Sequence, residues 1–221
     1  MSDTSPPPLT NTADMIALHN IFRKAFGSAP EIIGASAPDD KARSAVVGSY
    51  YDNILRLLHA HHDGEDELIW PKLLERCPSD AEMISEVAGQ HQVVVPLADE
   101  AMTQVGQWAS SASEEDGAAL AKVLGALNDG LSAHLQEEET KILPLCSRYM
   151  TPAEWAQLPE HGLKHFDGDK PWLIFGLILD NMPPQARGPM MERMPPPAQD
   201  MWANFGQRAY TDFIAQVAVP A

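Results

Sequence analysis

Apolar residues over the first 150 positions recur at spacings of three and four, in four runs each long enough to be a whole helix. No stretch alternates apolar and polar residues between Gly or Asn turns, so strands are not expected. The first run, about Thr12–Phe26, sets Met15, Leu18, Phe22 and Phe26 on one face. The second, about Asp40–Cys77, comes after the breaker stretch Gly34–Pro38; its stripe is Val47, Tyr50, Ile54, Leu57, His61, Glu65, Leu68 and Lys72. The third opens after Pro78, with Ser79 as the expected N-cap and Glu82 as its capping-box partner. Its stripe is Ile84, Val87, His91, Val94, Ala98, Ala101, Val105 and Trp108. The fourth runs from Ser113 or Glu114 to Tyr149, with Leu120, Leu124, Leu127, Leu131, His134, Glu138, Ile142 and Leu145 in line. Such helices joined by short polar connections predict an all-α chain, an antiparallel up-down-up-down four-helix bundle. Pro71 and Pro144, late in the second and fourth runs, predict a kink or loosening at each.

The texture changes at Thr151. Thr151-Pro152-Ala153-Glu154 reads as a helix start with cap, first-turn proline and capping-box acid. A short apolar segment, Trp172–Leu179, precedes two proline-rich breaks, Pro183-Pro184 and Pro195–Pro197. A last helix is expected over about Gln199–Val217, with Trp202, Phe205, Ala209 and Phe213 on one side. The chain therefore divides into a bundle over residues 12–150 and a C-terminal extension of short helices over 151–221. That extension is expected to pack on the bundle or on a partner subunit, which gives a route to an oligomer.

Charge narrows the partners. Acids outnumber bases 31 to 15, and the formal charge is −16; such a surface repels phosphate backbones and anionic lipid heads, so neither nucleic acid nor membrane is expected. No apolar run approaches the ~20 residues that cross a bilayer. Met1–Thr10 is polar and proline-rich rather than a secretory signal. Two cysteines, Cys77 and Cys146, make no disulfide framework and are expected to be ordinary thiols. A cytoplasmic protein is the resulting expectation.

Polar residues interrupt the stripes at a few places, and those places carry the chemistry. His61 and Glu65 lie in the second stripe, His134 and Glu138 in the fourth, His91 in the third, and His19 beside the first. Residues four apart share a helix face, so two helices each direct a histidine and a carboxylate at one axis. The spacing repeats: His19 precedes His61 by 42 residues and His91 precedes His134 by 43, and a proline stands ten residues after each later histidine. The pattern looks like a duplicated two-helix hairpin. Pairs of similar spacing at His59/Asp63, His62/Asp66 and His165/Asp169 show that His-x-x-x-acid alone is a weak signal; the weight rests on the stripe position and the repeat. An ionised carboxylate left unpaired in an apolar core costs several kcal/mol. Two cations on the axis would relieve both acids, with glutamates bridging and imidazoles ligating each; four His and two Glu suit iron and also accept manganese or zinc. Elsewhere, His161-x-x-x-His165 has zinc-ligand spacing but is expected to be a solvated surface pair. Tyr50, three turns from His61, is expected in the core, with gating as the alternative.

The six-residue pattern resembles that of the hemerythrin family, in particular its bacterial His…His-x-x-x-Glu…His…His-x-x-x-Glu (HHE cation-binding) domains, over about Thr12–Met150. The resemblance implies a non-haem di-iron centre bridged by two glutamates and an oxo or hydroxo group, with His19, His61, Glu65, His91, His134 and Glu138 as ligands. The ferritin-like alternative needs Glu-x-x-His, and no histidine here has Glu three residues before it. One departure stands out. Family members that carry oxygen have a second histidine one turn after the one on the third helix; here that position is Val95. They also end with an acid five residues after the last histidine, where this chain has Glu139, but its His-x-x-x-Glu string favours Glu138. The missing imidazole leaves an open position, to be filled by water, by a residue of the tail or by His62. It points toward reaction with small oxidants, hydrogen peroxide or nitric oxide, in catalase- or peroxidase-like detoxification. The alternative is an O2- or iron-binding carrier or sensor without turnover, and a third reading is a protein whose metals only hold its helices together.

Overall fold

The structure, a computed structural model, describes residues 9–219 apart from the Arg193 side chain; all but the last two residues of the Met1–Thr10 stretch lie outside it. Every regular element among the described residues is a helix or helical turn, with no strand. Helix α1 (Ala13–Gly27) leads into the short α2 (Ala29–Gly34), then α3 (Lys41–Leu68) and α4 (Trp70–Arg76). A 3-10 turn at Pro78–Asp80 precedes α5 (Ala81–Gly89), α6 (His91–Ser111) and α7 (Glu114–Glu137). A π-helical turn, Glu138–Ile142, joins α7 to α8 (Leu143–Tyr149). Six further helices complete the chain: α9 (Pro152–Trp155), α10 (Gln157–His165), α11 (Pro171–Asn181), α12 (Pro184–Arg193), α13 (Pro196–Met201) and, after a second π turn at Trp202–Gly206, α14 (Gln207–Val217). No described helix is long and apolar enough to cross a membrane.

The long helices form the bundle. α3 lies along α6, α6 along α7, and α1 against α7 and α3. Local chemistry sets their starts: Asp40 accepts from the Arg43 N–H at the head of α3, and Ser113 accepts from the Asp116 N–H at the head of α7. α6 stops at Ala112, whose left-handed backbone (φ 54°) turns its N–H back to the Trp108 carbonyl.

Two apolar clusters fill the interior. One holds Phe22, Phe26, Ile54, Leu58, Val94, Leu124 and Leu131 among others. The second holds Met15, Ile69, Leu73, Val87, Ile142 and Cys146 among others. A fully buried leucine or phenylalanine of this kind stabilises the fold by about 1.5–3 kcal/mol. His19 falls between Met15 and Phe22, and His61 and Glu65 between Leu58 and Ile69. His91 falls between Val87 and Val94, and His134 and Glu138 between Leu131 and Ile142. The polar residues therefore form a belt between two oily halves.

Several sequence expectations are revised. The second run is two helices, because Pro71 cannot donate to the Glu67 carbonyl and α3 ends at Leu68. The break rotates α4 relative to α3, so Ile69, Trp70 and Leu73 are buried while Leu68 and Lys72 of the expected stripe are only half-buried; the Lys72 ammonium donates to the freed Leu68 carbonyl (3.0 Å). Pro144 acts likewise on the fourth run, and the chain absorbs it as the π turn. The third run is broken at Gln90, although every residue of its stripe is buried. The Ser79 capping box does not form: the 3-10 turn carries Ser79 inside the element, and its hydroxyl bonds Asp80 (3.0 Å) instead. In the last helix the π turn adds a residue to the period, leaving Phe205 57% exposed while Trp202 and Phe213 are buried.

The helices after Thr151 pack on this same chain: α10 on α3, α11 on α1, α14 on α3 and α11. Thr151 and Glu154 form the expected capping box, and the Arg76 guanidinium forks onto Glu154 at 2.6 and 2.9 Å, tying α9 to α4. Trp155 donates its indole N–H to Asp14 on α1 (3.0 Å). Buried Asn53 on α3 donates to Asp169 (2.9 Å) and accepts from the Lys170 N–H (3.0 Å).

Candidate metal centre

All six sequence-selected residues are buried: Glu65, Glu138 and His19 entirely, and His61, His91 and His134 to 6% exposure or less. The structure brings them together with His62, which is 2% exposed. Their donor atoms fall into two sets of four, each within 4.8 Å of one another. One set is His19, His61, Glu65 and Glu138; the other is His62, Glu65, His91 and His134. Glu65 belongs to both.

Helical geometry explains the sharing. Residues three and four apart are neighbours on one face, so Glu65 sits one turn beyond both His61 and His62. Its two oxygens face different helices. Oε1 is 3.2 Å from His61 Nε2, and Oε2 is 3.3 Å from His91 Nε2. Glu138 Oε2 is 3.4 Å from His19 Nε2 and 3.8 Å from His134 Nε2. The π turn begins at Glu138 and so sets that carboxylate's direction.

None of these approaches is a hydrogen bond. The Nε2 atoms of His19, His61, His91 and His134, both ring nitrogens of His62, and all the carboxylate oxygens of Glu65 and Glu138 lack hydrogen-bond partners. A buried polar atom left so costs about 1–3 kcal/mol, and a core would not concentrate that many without a reason. A metal supplies one. Donors ~2.1 Å from one cation, at right or tetrahedral angles, lie about 3.0–3.4 Å from each other, which matches the shorter separations here. The buried His/Glu groups could hold a metal.

Three of the other ring nitrogens are occupied. His19 Nδ1 donates to Glu139 (2.9 Å), which also accepts from Arg23 (2.7 Å); His91 Nδ1 donates to Asp66 (2.9 Å); His134 Nδ1 donates to the Gln90 side-chain oxygen (3.1 Å). Each bond fixes a tautomer that directs the Nε2 lone pair at the cluster. These partners escaped the sequence reading in that role. The available signals were adjacency, since Asp66 is next to Glu65 and Gln90 precedes His91, and the spacing of Glu139 from His134.

Electrostatics agree with the geometry. Burial pushes the Glu65 carboxyl up to about 8. Burial, and then the neighbouring Glu65 charge, push Glu138 well above its ordinary value. Burial and adjacent imidazoles hold His61 and His62 well below the usual histidine range and bring His134 to about 3. Unaided, the pocket favours neutral forms; a cation would favour ionised carboxylates beside neutral imidazoles. Glu139 behaves differently: burial alone would raise it, but hydrogen bonds from His19 and Arg23 bring it to about 2.

Other residues singled out in the sequence lie elsewhere. His59 pairs with Asp99 (3.2 Å) rather than Asp63. Tyr50 is a core residue, edge-on to Tyr51 at 5.1 Å. Cys77 and Cys146 are free, buried thiols. His161 and His165 stack at 4.0 Å on α10, but His161 is not a solvated residue: its side chain is 8% exposed, bonds Glu67 (3.1 Å) and lies where a Cβ on Gly64 would come to 3.3 Å. The glycine opens that seat on α3, which a reading of α10 alone does not show.

A protein-family model described as the hemerythrin HHE cation binding domain matches residues 10–146. No curated protein and no solved structure matches the chain significantly.

Proposed function

The chain belongs to the hemerythrin HHE cation-binding family, and from that premise we propose that its buried cluster holds two iron ions and turns over a small oxidant, hydrogen peroxide or nitric oxide. The observation that carries the reading is the position of Glu65, whose two carboxylate oxygens lie against imidazoles of α3 and α6 and belong to both donor sets. In this reading His19 and His61 would hold one iron, His91 and His134 the other, and Glu65 and Glu138 would be shared between them, with the four long helices running up, down, up and down around the site. The iron pair, when bound, supplies electrons to and accepts them from the oxidant.

The protein's part is exclusion and orientation. The Phe22 ring, 5.4 Å from that of His61, and the Trp70 ring, 5.9 Å from that of His91, keep bulk water and larger molecules from the cluster. Glu139, Asp66 and Gln90 hold the imidazoles of His19, His91 and His134 in one tautomer. The described part of the extension after residue 150, residues 151–219, acts as a clasp on the 12–150 bundle. Two free thiols fit a reducing, cytoplasmic compartment.

Metal analysis with absorption spectra before and after peroxide, nitric oxide and oxygen tests the proposal. Two irons per chain, rapid gas evolution from peroxide and recovery of the spectrum support it. Reversible oxygen uptake without peroxide loss assigns the carrier or sensor role instead. Glu65→Ala and Glu138→Ala should each abolish the two-iron stoichiometry; retention of two irons in both overturns the site.

A further inference from the structure

We propose that His62 is a fifth imidazole donor to the cluster, which makes the two metal positions unequal. The inference rests on the proposed two-metal reading and extends it. His62 is 2% exposed, and neither ring nitrogen has a hydrogen-bond partner. A histidine that merely packs in a core still satisfies at least one nitrogen, because leaving both bare costs about 1–3 kcal/mol apiece. Here the ring faces other imidazoles: its centroid is 4.1 Å from that of His91 and 5.6 Å from that of His134. A donor nitrogen of His62 lies within 4.8 Å of donors from Glu65, His91 and His134.

The backbone accounts for the arrangement. Consecutive residues on a helix point about 100° apart, so His61 and His62 serve different sides of α3. His61 joins His19, whose ring centroid is 5.3 Å away, while His62 joins His91 and His134. Glu65, three residues on from one and four from the other, lies beneath both. One position thus receives imidazoles from His62, His91 and His134, and the other receives only His19 and His61.

Cobalt(II) is a suitable probe, loaded into the metal-free full-length protein and read by proton NMR. Each coordinated imidazole contributes one strongly shifted, exchangeable ring N–H signal. The wild type should show five such signals, and His62→Ala four. In a titration of that variant, tight binding at one position should persist while the other weakens at least ~10-fold, the lower end of what losing even an outer partner of a metal ligand costs. Free imidazole should restore the second step. Four signals in the wild type, or a variant that binds both cobalt ions as tightly as the wild type, overturns the role of His62 alone. A wild type that fails to take up two cobalt ions overturns the two-metal reading, and this inference with it. Should His62→Ala not fold, the wild-type signal count still decides.

Discussion

Each metal-facing imidazole whose Nδ1 partner is visible is held by a different side chain: Glu139 for His19, Asp66 for His91, Gln90 for His134. These are positioning residues. Removing one frees a ring to rotate or switch tautomer without removing a donor. Asp66→Ala should therefore weaken metal binding about 10- to 100-fold while leaving the stoichiometry at saturation unchanged, as read by metal titration; an unchanged affinity would show that Asp66 does not orient His91. The six residues named from the sequence were legible because five interrupt an apolar stripe, His19 lies beside one, and their spacing repeats. His62 and Asp66 were harder to place, since they lie off the stripe and their spacing resembles that of solvated pairs such as His59/Asp63. Only the depth of α3 in the bundle separates buried His62 from half-buried His59.

Periodicity located the long helices, and Pro71 and Pro144 marked where two of them are interrupted, but neither signal gave the form of the break. A proline signals a break without saying whether the chain restarts, as at Ile69, or inserts an extra residue, as at Glu138–Ile142. The choice depends on the side chains that pack across the break, which no local pattern states. The same limit hid the close contact of α11 with α14. A Cβ on Gly176 would enter the Tyr210 ring, which has no room to retreat while its hydroxyl bonds Asp180. Gly176→Ala should cost about 1–3 kcal/mol and lower Tm by about 2–4 °C per kcal/mol; an unchanged melting curve would mean that α14 lifts away freely. The joint between α9 and α4 depends on pH instead. Hydrogen bonds from Arg76 and from Thr151 bring Glu154 to about 2, below its ordinary 4.5. Its folded value is depressed, so its stabilisation is complete above about 4.5 and is lost as pH falls toward 2. Glu154→Gln should melt below the wild type at pH 7, and the gap should close between pH 4.5 and 2; a gap constant with pH would exclude the ion pair as its source.

Across the whole molecule, two apolar clusters flank a polar belt that neither can satisfy. Stability and metal content are therefore linked: a cation bound only by the folded form stabilises it. Stripping bound metal with a chelator should lower Tm, and restoring the same metal should raise it again; equal melting points for both forms would make the belt self-sufficient. The helices after Thr151 enclose α1 and α3 from outside, so the bundle's face there is covered by its own chain. Glu65, reached from both donor sets, has a further consequence. A carboxylate drawn into line by the first arriving ion is already aimed for the next. On the proposed two-iron reading, loading the position richer in imidazoles would ease loading of the poorer one, so the second ion should bind more tightly than that position's own two rings would allow.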